Sequence, residues 1–377
     1  PIGWEEDLVK RNSAFVGARG PVPRDELGYT PEDFAVRLSG WHENQATGSG
    51  VGNWTSPPLL GEMGGLYQWR GPMSPANLPI PYKPDRSKVS SPAEISEKIK
   101  RAAIFLGASM VGICKLNRNW VYSKGWTRYT HEVMPLDEIL PNGIQYAIVI
   151  GIEMDYEMVK TSPALTASAA SGLGYSQMDF IASSLAKYIH ALGYEALACG
   201  NDTALSVPLA VDAGLGELGR HGLLITPEFG PRVRLCKVLT DLPLLPDKPI
   251  FMGVQKFCEA CEKCARYCPS QAIMYGKERT AEPRTISNNS GLLKWPIDPE
   301  KCLRFWYMNG GKVEDKIMCV DCCNCIKVCP FNKKPGWIHD VTRCLIRTVP
   351  ALNALFLWLD DAMGYGKGSQ KLVRHQM

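Results

Sequence analysis

Two cysteine runs constrain this chain more than anything else in it. Cys258-x2-Cys261-x2-Cys264-x3-Cys268-Pro269 and Cys319-x2-Cys322-x2-Cys325-x3-Cys329-Pro330 repeat a single spacing. Two-residue gaps let one tight loop present three thiolates to one face of a cubane, and the fourth cysteine, beside a proline, is carried on the next element to a second cluster. The spacing therefore predicts two [4Fe–4S] clusters in a paired, pseudo-symmetric arrangement. Cross-ligation assigns Cys258, Cys261, Cys264 and Cys329 to one cluster, and Cys268, Cys322 and Cys325 to the other. For the eighth ligand, regular spacing favours Cys319, while Cys302 in PEKCLRFW (299–306) and Cys323 compete with it.

Composition bears on the same question. Of 14 cysteines, ten fall between 258 and 329, whereas disulfide staples in a chain of this length would be scattered. The formal charge of +4 counts every cysteine as neutral. Two oxidised clusters with thiolate ligands, at about −2 each, bring the loaded protein to about zero, so the basic balance signals no nucleic acid. A chain 45% hydrophobic and 21% charged has a globular balance, and no apolar run approaches the ~18 residues that cross a bilayer. A start at Pro1 instead of Met is what processing of a leader would leave.

Clusters alone move electrons and make no bonds, and 257 residues precede Cys258. A domain of that size predicts a second cofactor. Residues 1–90 are rich in Gly, Pro and Trp, with irregular stretches at Gly48–Gly65 and Gly71–Pro84 and a turn later at Asn142-Gly143, and read as a wrapping or lid segment. From Ser91 the pattern becomes regular. Ser91-Pro92-Ala93-Glu94 reads as a capping box, Ile95, Ile99, Ala102, Ala103 and Leu106 share a helical face, and Gly107 stops it. Strands are expected at Met110–Cys114, Tyr146–Ile152, Glu195–Cys199, Leu223–Ile225 and Val233–Leu239, with a helix at about Ser176–Leu192 ended by Gly193. FLGASMVGIC and ALGYEALACG look like two copies of one helix–Gly–strand unit. Helices alternating with strands predict an α/β layered core over 91–250, then a two-cluster ferredoxin-like domain over 251–345 and a tail over 346–377 that packs on the core.

Several motifs carry a resemblance. KLNRNWVYS (115–123), GLGYSQMD (172–179), AGLGELGRHGLLITPEFGPRVRL (213–235), FCEACEKCARYCPSQAI (257–273), WIHD (337–340) and DDAMGYG (360–366) resemble the corrinoid-dependent reductive dehalogenases. The resemblance covers about 91–366. It implies an α/β (α+β) core of nitroreductase-like type, a base-off cobalamin-type corrinoid, two [4Fe–4S] clusters, and removal of chloride from small chlorinated alkanes or ethenes in anaerobic respiration. It implies export, a membrane anchor on the outer face of the cytoplasmic membrane and a quinone-linked electron donor, and it leaves room for a homodimer. None of the six histidines follows Asp at the −2 position, so no Asp-x-His-x-x-Gly motif offers cobalt a lower imidazole.

By position in matching motifs, the resemblance places a catalytic trio on Tyr175, Asn201 and Arg234. Taken singly, Tyr175 reads as an aromatic at a helix start, Asn201 as a turn residue or N-cap, and Arg234 as an outward strand residue. Together they suit the chemistry. A phenol titrates near 10, a neighbouring cation stabilises the phenolate and eases proton donation, and an amide donates to a halogen or to the phenol oxygen. Attack on carbon, attack on halogen and outer-sphere transfer are all compatible with these residues. The resemblance further suggests Tyr122, Gly214, Gly219, Thr226 and Phe229 at the corrinoid, Trp41 and Trp306 as substrate-pocket walls, and Cys302 in place of Cys319. Two alternatives stay open: an epoxyqueuosine-reductase-like corrinoid enzyme, against which stands a tyrosine where that family uses an acidic donor, and a non-catalytic two-cluster electron carrier.

Overall fold

The computed structural model describes residues 10–41, 85–86, 89–126, 133–136, 140, 143–201, 203–313 and 316–366. The irregular stretches expected at 48–65 and 71–84, and Asn142 of the expected turn, lie outside them.

The first helix, α1 (Pro31–Gly40), starts at a reciprocal capping box in which Thr30 and Asp33 satisfy each other's backbone. The next, α2 (Pro92–Phe105), buries Ile95, Ser96, Ile99 and Ala103, and the Ser91 side chain accepts from Glu94 N. The reciprocal half of that expected box is replaced, because the Glu94 carboxylate pairs with Lys98 at 2.7 Å. Gly107 (φ +110°) ends the helix turn, and β1 (Met110–Lys115) follows. The chain continues through a β2/β3 hairpin (Lys124–Trp126, Val133–Pro135), β4 (Tyr146–Glu153), α3 (Tyr156–Lys160), α4 (Leu165–Ala191), β5 (Ala196–Cys199), α5 (Ser206–Asp212), a β6/β7 pair (Glu217–Leu218, Leu224–Ile225) and β8 (Val233–Thr240).

The central sheet has the order β1-β4-β8-β5 with every neighbour antiparallel. The expectation of alternating layers is met only in part: helices cover the sheet, but the strands are antiparallel, an α+β arrangement. The two repeated units, α2–Gly107–β1 and α4–Gly193–β5, form the opposite edges of this sheet, and both glycines take positive φ. Alternation along the strands divides the core. Ile113, Ile148, Ile150, Cys236 and Val238 face α2 and α4. Cys114, Ala147, Val149, Leu235 and Leu239 face α5.

One element differs strongly from its expected bounds. The helix expected at about 176–192 begins at Leu165 and runs 27 residues. Its first half, LTASAASGLG, is built of small residues that are nearly all buried, so there is no apolar stripe for a 3.6-residue period to reveal. Small side chains serve close approach instead: a Cβ on Gly40 of α1 would stand 2.6 Å from Ala169 O.

The cysteine-rich segment carries α6 (Val254–Ala260), α7 (Lys263–Arg266), α8 (Pro299–Asn309), a β9/β10 hairpin (Gly311–Val313, Lys316–Met318) and α9 (Asn324–Lys327). Cys264 and Cys325 occupy equivalent places on the short helices α7 and α9, which contact each other. Beyond them, α10 (Trp337–Thr348) and α11 (Asn353–Ala362) contact α6. The C-terminal segment, expected on the core, is described to residue 366 and meets the cysteine-rich segment there: Ile346, Phe356 and Leu357 pack with Val254 and Phe257, and buried charges pair. Buried Lys263 of α7 pairs with Asp360 and, at 3.0 Å, with Asp361, while Lys333 reaches Asp360 at 2.5 Å.

Candidate active site and cluster sites

Tyr175 lies in the middle of α4, not at a helix start, and three side chains surround it. Asn201 donates Nδ2–H to the Tyr175 oxygen at 3.0 Å. The Arg234 guanidinium stands 4.8 Å from the Tyr175 ring centroid. Trp41, at the C-cap of α1, stacks on the ring at 5.4 Å and 25°. Arg234 is not an outward strand residue: it shares the α4-facing phase of β8 with Cys236 and Val238.

The GLGY motif explains why these groups fit. A Cβ on Gly172 would stand 2.5 Å from Cγ and 2.6 Å from Nε1 of Trp41, and one on Gly174 would stand 2.7 Å from Arg234 Cγ. Each glycine opens the helix surface to one neighbour of Tyr175. Trp41 is fixed by Nε1–H donating to Ser168 O at 3.0 Å. Asn201 is fixed from below by Lys237, a fully buried lysine whose Nζ donates to Gly200 O, Ala204 O and Ser206 Oγ. The Tyr122 hydroxyl reaches Asn201 O at 3.4 Å.

Arg234 also links this cluster to the second cysteine run. Its Nη2 donates to Ser171 Oγ at 2.6 Å, Ser171 Oγ lies 3.4 Å from Cys323 Sγ, and Asp321 stands 3.6 Å from the guanidinium. Burial alone would lower the Arg234 pKa, but Tyr175, Cys323, Asp321 and Cys325 together hold it above its ordinary value, so the cation is secure. Its Nε is buried without a partner.

The four thiols assigned to the first cluster, Cys258, Cys261, Cys264 and Cys329, line one cavity together with His221, Phe257, Pro330 and Phe331. Burial pushes Cys258 up to about 11 and Cys261 up to about 12. Burial there favours the neutral thiol, and four thiols around one cavity are the donor set that a cubane would take. Among the described residues no three His, Cys, Asp or Glu side chains converge as ligands of a single ion; cubane ligands stand around a cluster, more widely apart.

The remaining thiols sort by proximity. Burial raises Cys322 and Cys325 well above the ordinary thiol range, with Cys302, Cys323 and Cys268 near enough to Cys322, and Cys322, Cys302, Cys264 and Cys323 near enough to Cys325, to add to the rise. Cys302, raised to about 12 by burial, has Cys268 as its strongest thiol neighbour. Cys319 feels none of them: its surroundings are Tyr307, Arg37 and Asp321, and its carbonyl accepts from Arg37 at 2.8 Å. Trp306, on the α8 helix that also carries Cys302, lies beside that thiol with its buried indole N–H toward it.

Other suggested residues are engaged within the chain. Gly214 (φ +74°) turns the chain after α5, where a Cβ would stand 2.5 Å from Lys248 O. Thr226 Oγ1 donates to Gly230 O and accepts from Phe229 N, closing a turn. A Cβ on Gly219 would meet His221 Cε1 at 2.8 Å. Sequence reasoning missed Arg220, which is fully buried, donates to the carbonyls of Cys258, Cys261, Met274 and Gly276, and stacks 4.5 Å from Trp295. It also missed Arg232, Lys237, Ser171 and Asp321. A charged residue amid an apolar strand, as at Lys237 in VRLCKVLT, was the available signal.

Comparison with known proteins fits this geometry. The family described as reductive dehalogenase subunit matches residues 127–244. The chain is 43% identical over 324 residues to a tetrachloroethene reductive dehalogenase of Sulfurospirillum multivorans, covering 79% of this chain and 63% of the relative. It is 34% identical over 420 residues to one of Desulfitobacterium hafniense, covering 97% and 73%. Among solved structures, a reductive dehalogenase whose structure suggests a mechanism for B12-dependent dehalogenation superposes with a TM-score of 0.62 at 29% identity, over 74% of this chain and 38% of that one. Among the described residues no helix is long and apolar enough to cross a membrane. On these matches the chain belongs to the reductive dehalogenase family.

Proposed function

We propose that this chain carries the catalytic machinery of a reductive dehalogenase that removes chloride from small chlorinated aliphatic hydrocarbons, chlorinated ethenes foremost. It would use a base-off cobalamin-type corrinoid and two [4Fe–4S] clusters. One observation carries the reading: a tyrosine held between an amide donor, a secured guanidinium and a tryptophan, joined through Ser171 to the second cysteine run. The division into a nitroreductase-like core at 91–250, a ferredoxin-like two-cluster domain at 251–345, a wrapping segment at 1–90 and a C-terminal segment at 346–377 is part of the same proposal. So are export and docking to a membrane anchor fed by a quinone-linked donor.

The residues fit the absent groups. Four buried thiols around one cavity suit a cubane. We assign Cys268, Cys302, Cys322 and Cys325 to the other cluster, because Cys302 is a neighbour of that set and Cys319 is not. Among the described residues Arg234 Nε is a buried donor with no hydrogen-bond partner, which suits a site completed by a cofactor and substrate. When bound, the corrinoid supplies electrons from reduced cobalt.

Replacing C–Cl by C–H consumes two electrons and one proton and releases chloride. The residues here handle the proton. The Tyr175 oxygen accepts from Asn201, so its own hydrogen is directed elsewhere, toward substrate. As it leaves, charge grows on an oxygen that already has an amide donor, with a guanidinium over its ring. Both stabilise phenolate, which eases donation from a group otherwise too weak near neutral pH. Trp41 stacks on the ring and holds its orientation, and Tyr122 steadies the Asn201 loop. Its test is composition and turnover together: anaerobically prepared holoenzyme should contain about eight iron, eight sulfide and one cobalt per chain and release chloride from tetrachloroethene with a low-potential donor. Protein with no cobalt and no chloride release would overturn the reading.

A further inference from the structure

His221 is used by none of the steps above. It is buried, 4% exposed, and lines the same cavity as Cys258, Cys261, Cys264 and Cys329. Its two nitrogens are distinguishable. The Leu223 backbone N–H donates to Nδ1 at 3.2 Å. A nitrogen that accepts carries no proton, so in the neutral ring the hydrogen sits on Nε2. Nε2 is buried and, among the described residues, has no hydrogen-bond partner. A buried N–H left unmade is costly, and here the donor belongs to a ring that lines a cavity of thiols.

The local sequence prepares this placement. Gly219 leaves the room that the imidazole occupies, since a Cβ there would stand 2.8 Å from Cε1, the carbon between the two nitrogens. Arg220, between them, ties the carbonyls of Cys258 and Cys261. The stretch GRH thus fixes both the cluster loop and a donor beside it.

We propose that His221 donates its Nε2–H to a sulfur of the iron–sulfur cluster held by Cys258, Cys261, Cys264 and Cys329, and so raises that cluster's reduction potential above the value its ligands alone would give. The inference rests on the cluster assignment above. The physical ground is that reduction adds one electron to an already anionic centre, and a hydrogen bond to its sulfur stabilises the more negative state more. The proton stays on nitrogen throughout. Raising the cluster's potential eases its reduction by an outside donor.

The test is an EPR-monitored redox titration of wild-type, His221→Phe and His221→Gln holoenzyme. Phe keeps a ring and removes the donor, and Gln restores an N–H at similar reach. One of the two one-electron potentials, the one whose signal Cys261→Ser alters, should fall in His221→Phe by about 59 mV, about tenfold in the reduction equilibrium at fixed potential. His221→Gln should recover part of it, and iron should stay at about eight per chain. Both potentials unmoved at full iron would overturn the inference and leave the cluster reading standing. Wild-type protein without clusters would instead overturn the reading. Should His221→Phe fail to hold iron, wild-type protein labelled with [15N]histidine decides: pulsed EPR of that reduced cluster should show a 15N coupling, and its absence would overturn the proposal.

Discussion

Replacing Gly172 by alanine puts a methyl where Trp41 stands. The new carbon would lie 2.5 Å from Cγ and 2.6 Å from Nε1 of the indole, against the ~3.5–4.0 Å of a normal contact, so the ring must retreat by about 1 Å or more. Trp41 cannot swing freely, because its Nε1 is tied to Ser168 O and its backbone closes α1. Two terms then oppose each other. Alanine in a helix interior gains about 1 kcal/mol over glycine, while overpacking costs about 1–3 kcal/mol. The net is a fold between unchanged and destabilised by about 2 kcal/mol, which leaves the clusters bound. The rate is affected more. Trp41 stacks on Tyr175 at 5.4 Å, and displacing a reacting group by about 1 Å costs about 100-fold. The assay is chloride release from tetrachloroethene at matched iron and cobalt, with thermal unfolding alongside. Adding Trp41→Phe to Gly172→Ala should recover activity relative to Gly172→Ala alone, since a phenyl ring lacks the Nε1–H tie to Ser168 O and is free to move off the new methyl. Full activity in Gly172→Ala, or two effects that simply add, would refute the reasoning.

Cys302→Ser should alter the EPR of the Cys268-containing cluster while Cys319→Ser leaves it unchanged; the reverse would restore the regular spacing. Asp360→Ala should strip two buried lysines, Lys263 and Lys333, of their shared carboxylate. Lys263 keeps Asp361 at 3.0 Å, so Lys333 is the charge left alone; breaking a buried pair costs about 3–5 kcal/mol, seen as early proteolysis of α10 and α11, and equal protease resistance would contradict this. Cluster-free protein should lose stability with rising pH. Cys258 and Cys302 rise from 9.0 to about 11 and about 12 in the fold, so above pH 9 the unfolded chain ionises first. Unfolding titrations should show the loss between pH 9 and about 12, and a flat profile there would contradict the burial argument.

Much of this was legible in the sequence because it is local. Cysteine spacing dictates a cluster geometry whatever surrounds it, and the strands at 110, 146, 196 and 233 announce themselves by apolar alternation to within a residue or two. Other features depend on tertiary placement. The start of α4 is hidden because small buried residues leave no stripe. The role of Arg234 depends on strand phase: with Cys236 and Val238 it faces α4, which turns an apparently outward arginine toward Tyr175. Within the Gly-rich stretch at 214–222, Arg220 and His221 meet the first set of cysteines, a placement that no local pattern announces. The choice between Cys302 and Cys319 needs the fold, since spacing favours one and proximity the other.

The central claim is that Tyr175 is the proton donor of a dehalogenating site. Tyr175→Phe keeps the ring between Trp41 and Arg234 and removes only the hydroxyl. Measured on holoenzyme with wild-type iron and cobalt content, dechlorination of tetrachloroethene should fall at least about 100-fold, the scale of losing a general acid. A fully loaded Tyr175→Phe enzyme that turns over at nearly the wild-type rate would contradict the account and move the proton source to water or another residue.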